Sequence, residues 1–508
     1  MDITFTPAPK RQRVSANTSE QEAIIQGPHM QRTSPVTVQA GAGTGKTHTI
    51  GEIARAHPDR QILYLCFNKD IQLEAQAKFE DLPNMEPVTF HAFADRFSKV
   101  NSLSAERAYQ DQWRKEVKTL VRSMLSKGDT PPKWKQLFGL FDEFAAQVLS
   151  LNAFLVAWWS ANPTAQRSSL ERWMRVLEAH VFSEQRTIRC LPWTVTFKAI
   201  QRASAFHPSP FSLDFAGKYD LVLVDEAQDL NCMFRQVAEH FIRTDRLVMF
   251  FGDKHQQINR WNGAENAMAH IQAHYTKTTT LTLSRSFRFG PAVASIANVL
   301  ARTFHSHSTP LQGVARCETF VAMWDGERAL SQTTGPTAFL AFRQQSVLDM
   351  ALRCMARQKA FYLGNSTEKL LKEVRALYNK IANEPADQKG KILDEIRSRI
   401  QNEREVQPSE SHVAKHPDDK DVYDALFKSR VTRRKRTAQT LALLTVHSSK
   451  GLEFDTLYVA DDVFHPLDKP RKDVTTDEHS IAYTAVTRVK RALRLPPSAQ
   501  SWVDESKL

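Results

Sequence analysis

Ala40-Gly41-Ala42-Gly43-Thr44-Gly45-Lys46-Thr47 follows the apolar run Val36–Gln39 and opens a helical pattern that ends at Pro58. A strand, a glycine-rich turn and a helix in that order place backbone N–H groups and a helix N-terminus where phosphates bind. The glycines let the main chain wrap an anion, Lys46 reaches the β- and γ-phosphate oxygens, and the Thr47 hydroxyl ligates Mg²⁺. Ala40 stands where the general pattern has glycine, a mild departure. The partner half is Leu221-Val222-Leu223-Val224-Asp225-Glu226, an apolar strand ending in two carboxylates. Asp225 suits coordination of Mg²⁺, and Glu226 suits orientation of an attacking water. Each stretch alone also reads as an incidental glycine turn or a solvated strand end. Together they point to a nucleoside-triphosphate site.

Outward from these two stretches, short apolar runs recur: Ile62–Cys66, Leu247–Phe251, Ala338–Ala341, Ala442–Thr445 and Thr456–Ala460. Runs of four to six apolar residues bounded by turns suit buried parallel strands, and the helical patterns between them make the fold α/β. Two blocks break the alternation. In residues 96–205, Trp113, Val117, Leu120, Val121, Met124 and Leu125 fall on one helical face. In residues 365–436, Leu370, Leu371, Val374, Leu377, Tyr378 and Ile381 do the same, before a polar stretch and the basic run Arg430–Arg436. Trp158 and Trp159, in the first block, read as core. The expected organisation is a basic tail (1–15), a first α/β domain (16–95 and 206–275) interrupted by a helical insertion (96–205), and a second α/β domain (276–364 and 437–508) interrupted by a reduced one (365–436).

With 508 residues, 42% of them apolar and 24% charged, the chain has the balance of a folded protein of several domains. No apolar stretch approaches the roughly 20 residues that span a bilayer, and the N-terminus lacks the apolar core of a secretory signal. Cys66, Cys190, Cys232, Cys317 and Cys354 are scattered without a CxxC pair, which argues against a disulfide framework, a zinc site or an iron–sulfur cluster. A reducing, intracellular location follows, cytoplasm or nucleoid, or the nucleus in a eukaryote. Pro9–Val14 reads equally as a nuclear-import signal or as a basic tail. The net charge of +12 favours a polyanionic partner.

The motifs resemble those of superfamily 1 helicases of the UvrD/Rep/PcrA type, and more closely the F-box DNA helicase branch. They run in the family's order: Ser19-Glu20-Gln21, the phosphate loop, Phe67-Asn68-Lys69, Thr89-Phe90-His91-Ala92-Phe93 and Asp225-Glu226-Ala227-Gln228-Asp229. Gly252–Ile258 and Trp261–Ala264 follow, then Ser286–Gly290, Thr445–Phe454 and Tyr483–Arg488. The resemblance covers most of the chain and implies two RecA-like P-loop motor domains with parallel sheets, each carrying a mainly helical insertion. It implies ATP and Mg²⁺ as cofactors, with Thr47 and Asp225 on the metal. ATP would be contacted by Gln21, Gly41, Ala42, Gly43, Thr44, Gly45, Lys46, Thr47 and His48, with Phe287 stacking on adenine and Glu453 on the ribose. The catalytic set would be Lys46, Asp225, Glu226, the γ-phosphate sensor Gln256, and Arg288 and Arg488 as arginine fingers. DNA would meet Phe67, Asn68, His91, Trp261, Thr445 and His447.

The activity so implied is ATP-dependent 3′→5′ translocation on single-stranded DNA with helicase activity, in repair, recombination or replication, with removal of recombinase filaments as one use. The rivals are a motor acting on RNA and an NTP-binding subunit of a repair or defence complex; the intact catalytic set argues against the second. Asn259 and Asn262 depart from the family's usual Tyr and Arg, so one DNA contact is expected to be weaker or taken over by Arg260. The reduced second insertion predicts weak strand separation by a monomer. An F-box and a fused nuclease are both expected to be absent.

Overall fold

The computed structural model describes residues 17–95, 106–125, 131–145, 151–162, 167–182, 217–260, 264–303, 309–317, 319–324, 336–381, 392, 440–468 and 473–507. Within them the chain forms two six-stranded sheets whose neighbouring strands are all parallel. The first holds β1 (Val36–Ala40), β2 (Ile62–Cys66), β3 (Met85–Thr89), β4 (Leu221–Val224), β5 (Leu247–Gly252) and β6 (Thr279–Leu283) in the order β3-β2-β4-β5-β1-β6. A short parallel pair, β7 (Arg285–Ser286) and β8 (Gln312–Gly313), comes next along the chain. The second sheet holds β9 (Phe320–Met323), β10 (Thr337–Ala341), β11 (Phe361–Leu363), β12 (Leu441–Thr445), β13 (Phe454–Val459) and β14 (Val489–Leu495) in the order β11-β12-β10-β13-β14-β9.

A parallel sheet is covered on both faces, so most of its inner strands read as near-continuous apolar runs. Leu63, Leu65, Val222, Val224, Val248 and Phe250 pack on one face with Val237 and Phe241 of the helix Cys232–Arg243. Ile62, Tyr64, Leu221, Leu223, Met249 and Phe251 pack on the other with Ile50 and Ile53 of the helix Lys46–Ala56. The second sheet repeats the scheme, with Leu340, Leu444 and Val459 on one side and Phe339, Leu443 and Tyr458 on the other. Ala42 of the phosphate loop and Ile258 beyond β5 belong to the core of the second sheet.

One expected boundary shifts. The first α/β domain was expected to end at 275, yet β6 pairs with β1 from Val36↔Thr279 to Ala40↔Leu283. The first sheet therefore extends to Leu283. The alternation Thr279-Thr280-Leu281-Thr282-Leu283 is that of a half-buried edge strand, which has no continuous apolar run to announce it.

The first helical block is present as the helices Glu106–Ser123, Trp134–Ala145, Leu151–Ala161 and Arg167–Phe182, which share a core containing Trp113, Val117, Val121 and Trp159. Trp158 packs beside this core, its indole N–H donating to Glu143 at 2.9 Å. Met124 departs from the expected stripe and stands 40% exposed, because the helix ends at Ser123. In the second block Leu370, Leu371, Val374 and Leu377 of the helix Asn365–Ile381 are buried against the second sheet. The tail 1–15, most of the reduced insertion, the side chains of Tyr378 and Ile381, and Trp261 and Asn262 lie outside the described residues. Among the described residues no helix is long and apolar enough to cross a membrane.

Candidate active site

The phosphate loop leaves β1 and enters the helix Lys46–Ala56 through two left-handed glycines, Gly43 at φ 72° and Gly45 at φ 84°. Only glycine adopts this region readily. Space demands it too: a Cβ on Gly43 would lie 2.5 Å from Arg288 Cβ, and one on Gly45 would lie 2.9 Å from Gln21 Nε2. The loop is therefore a bare backbone cradle, fitting a phosphate chain, with the second domain and the N-terminal helix pressed against its rim. Phe287 N–H donates to Gly43 O at 2.8 Å and fixes that rim.

Lys46 lies between the two carboxylates that end β4. Its Nζ is 2.6 Å from Asp225 Oδ1 and is also bonded to Glu226. Burial pushes its pKa down, but the two carboxylates outweigh burial and raise it above the ordinary lysine value. Asp225 is 3% exposed and accepts from Tyr64 Oη at 2.6 Å. Glu226 adopts φ 51°, a left-handed conformation that costs a side chain about 1 kcal/mol. The turn aims its carboxylate at three donors: Lys46, Gln228 Nε2 at 2.7 Å and Lys450 Nζ at 2.9 Å. Burial opposes ionisation of Glu226, yet Lys450 and Lys46 hold its pKa well below the ordinary range.

The second domain supplies the other cations. Gln256, in the short 3-10 turn after β5, donates to Asp253 Oδ2 at 2.7 Å and accepts from Arg488. Asp253 also accepts from Gln39 at 3.0 Å and from Tyr483 Oη at 3.2 Å. Burial, then the nearby Arg288, pull the Arg488 pKa down to about 9 against the opposing pull of Glu226, Glu453 and Asp253. Arg288 donates to Glu453 Oε1 at 2.9 Å and to Thr487 O at 2.7 Å, while Lys490 holds the other oxygen of Glu453 at 2.9 Å.

Lys46, Asp225, Glu226, Gln256, Arg288 and Arg488 are thus gathered in one cleft. Gln21 and the Phe287 ring meet at Gly45, and Glu453 lies across from them on Arg288. His48 turns its Nε2 to Asn17 at 3.0 Å, on the flank of the cradle. Thr47 sits in the first turn, half-buried. Its hydroxyl and the Asp225 carboxylate are hard oxygen donors, suited to a small divalent ion that keeps much of its water.

The residues expected to meet DNA are more spread. Phe67 and Asn68 follow β2, and His91 follows β3. Asn68 Oδ1 caps the helix Lys69–Lys78, accepting from Ile71 N–H at 2.9 Å. His91 meets Phe234 edge-on at 5.3 Å. Thr445 ends β12, 5% exposed, and its hydroxyl bonds Ser448 at 2.9 Å. His447 reaches into the first domain, with Nε2 3.1 Å from Ile258 O. Arg260 lies against Gln257 and 3.4 Å from Asp477 of the second domain.

Sequence reading gave no role to Lys450, although it lies within the quoted stretch Thr445–Phe454. It bonds Asp229 as well as Glu226, tying the second domain to the carboxylates that follow β4. Its signal was a basic residue before Gly451, whose φ of 80° turns the chain there. Tyr64 carried no signal beyond being a member of a buried apolar run, and Tyr483 was noted only as the first residue of the motif Tyr483–Arg488, without a role.

The chain matches the UvrD/REP helicase N-terminal domain over residues 17–275 and the UvrD-like helicase C-terminal domain over 345–498. It is 25% identical to F-box DNA helicase protein 1 of Schizosaccharomyces pombe, over 94% of this chain and 57% of that protein. It is also 25% identical to F-box DNA helicase 1 of Gallus gallus, over 95% of this chain and 49% of that protein. A mitochondrial ATP-dependent DNA helicase of Saccharomyces cerevisiae is 34% identical over 18% of this chain. The chain thus spans about half the length of the two long matches. A match over more than half of the sequence, which takes in the phosphate loop and the two carboxylates of the cleft, places the chain in the UvrD/REP helicase family.

Proposed function

We propose that the chain is an ATP-dependent motor that moves 3′→5′ along single-stranded DNA and separates strands. One observation carries this reading: cations from the second domain, Lys450 and Arg488, bond the catalytic carboxylate Glu226 and the sensor Gln256 of the first. Phosphoryl transfer through a loose transition state needs positive charge from outside the phosphate loop, and supplying it from a second domain ties turnover to domain closure. Lys46, now on Asp225 and Glu226, would exchange them for phosphate oxygens. Glu226 would then orient the attacking water and accept its proton, and Gln256 would register the terminal phosphate. Thr47 and Asp225 would hold Mg²⁺, which when bound would supply positive charge against the phosphates.

Phe67, Asn68, His91, Thr445 and His447 support a nucleic-acid track because they stand at the carboxyl ends of strands in both sheets, the edge where open α/β sheets bind ligands. Trp261 is proposed as its base-stacking foothold from the sequence. Use in repair or recombination, including removal of recombinase filaments, is the finer reading, tested by following recombinase loss from a labelled strand. The decisive experiment is steady-state ATP hydrolysis without nucleic acid, with a DNA oligomer and with an RNA oligomer. Stimulation by DNA above RNA is the expected result. Stronger stimulation by RNA redirects the proposal, and no hydrolysis at all overturns it.

A further inference from the structure

Away from the nucleotide cleft, a buried guanidinium joins three elements of the first domain. Arg235, on the helix Cys232–Arg243, is 5% exposed. Its Nη1 donates to Glu239 Oε1 at 2.6 Å and to His270 Nε2 at 2.7 Å, and its Nη2 donates to Glu265 Oε2 at 3.3 Å. Arginine has no acceptor, so the His270 nitrogen is the acceptor and the ring is neutral here. Glu239 is itself 3% exposed and takes a further bond from Arg243 at 3.4 Å.

The three elements have distinct origins. The helix carrying Arg235 begins directly after the catalytic stretch Asp225–Asp229. Glu265 follows the segment that leaves the sensor Gln256. His270 lies on the helix Ala267–His274, which feeds β6 and then the crossing to Arg288. Above the guanidinium the backbones are also joined: Asn231 bridges Ala264, and Glu265 N–H donates to Leu230 O at 2.7 Å. A buried ion pair is a poor source of stability, since apolar side chains of similar volume hold two helices equally well. A guanidinium adds a planar fork of directed donors that fixes several partners at set angles.

We propose that Arg235 is a positioning residue that makes the catalytic stretch, the sensor segment and the approach to Arg288 move as one block. The block would pass the state of the nucleotide to the DNA-bound domains. The inference rests on the proposed DNA-stimulated hydrolysis. It requires that loosening the clasp spare the unstimulated reaction, because Arg235 touches neither Lys46, Glu226 nor the arginine fingers.

Arg235→Lys keeps the charge but cannot span three partners, and Glu265→Gln removes the half-exposed carboxylate while keeping the shape. Each is compared with the wild-type chain by thermal midpoint, kcat and KM for ATP without DNA, and kcat at saturating single-stranded DNA. The expected result is an unchanged midpoint, unchanged basal kcat and KM, and a DNA-stimulated kcat lower by about tenfold, within the range usual for coupling between sites. Wild-type stimulation that both variants retain overturns the inference alone. Basal and stimulated rates falling together, or a lowered midpoint in both variants, make the clasp merely structural and also overturn it. A wild-type chain that DNA does not stimulate overturns the functional reading, and the inference with it.

Discussion

Lys46 occupies the position between Asp225 and Glu226 that a phosphate chain would compete for, so its loss should be felt in turnover before stability. Lys46→Ala is expected to abolish hydrolysis while the circular-dichroism spectrum stays that of the wild type. Glu226→Gln keeps the shape of the side chain and should retain nucleotide binding, with kcat lowered by about 10²- to 10⁴-fold, the usual contribution of a positioned base. Wild-type turnover in either variant would remove these residues from the site. Glu453 makes a pH prediction. Burial works to raise its pKa, but Arg288 and Lys490 outweigh burial and hold it at about 2, against 4.5 ordinarily. A depressed carboxylate contributes stability that is full above pH 4.5 and is lost as pH falls towards 2. The melting temperatures of the wild type and Glu453→Gln should therefore differ above pH 4.5 and converge below it. A difference that does not vary with pH would mean that the ion pairs with Arg288 and Lys490 do not form. The phosphate loop and the Asp225–Glu226 pair were readable because their chemistry needs fixed residue types at fixed spacings, whereas Gln256, Arg288, Glu453 and Arg488 were reached only through the resemblance to a helicase family. Lys450 was not: nothing local distinguishes a lysine that crosses a domain boundary from one on a solvated turn.

At the level of elements, what could be read followed burial. Inner strands such as β2, buried at all five positions, announce themselves as continuous apolar runs. The edge strands β3, β6, β9 and β11 do not, since each is paired on one side only. β3 even contains Pro87, which an inner strand would not tolerate. β14 lies inside its sheet yet alternates, with Val489, Leu493 and Leu495 buried between the more exposed Lys490, Arg491 and Arg494. The helical insertion was legible through Trp113, now 1% exposed in its core. Trp113→Ala should cost about 3–5 kcal/mol of stability by leaving a cavity. Because the phosphate loop is on another core, ATP affinity should survive where the insertion remains folded. Unchanged chemical-denaturation midpoints would show that the indole is dispensable to the packing.

Across the whole molecule, the +12 charge and the two-domain cleft make separate forecasts. DNA affinity should fall steeply with salt, by a slope of about −0.7 in log K per phosphate neutralised on a single strand. A flat response, or strong preference for one short sequence, would indicate a specific binding module in place of a motor. Arg288→Ala and Arg488→Ala should each lower stimulated hydrolysis by about 10³-fold or more. Nucleotide affinity should change far less, because such residues act on the transition state. Proportional losses in rate and affinity would make them ordinary binding groups. The packing of Ala42 and Ile258 into the second core has a thermal consequence. Whenever the domains part, apolar surface at the phosphate loop is wetted, and newly hydrated apolar surface raises heat capacity. A nucleotide that favours the shut form should then bind with an enthalpy that grows more negative on warming. The joint would leave its signature in a calorimeter as a negative slope of binding enthalpy against temperature.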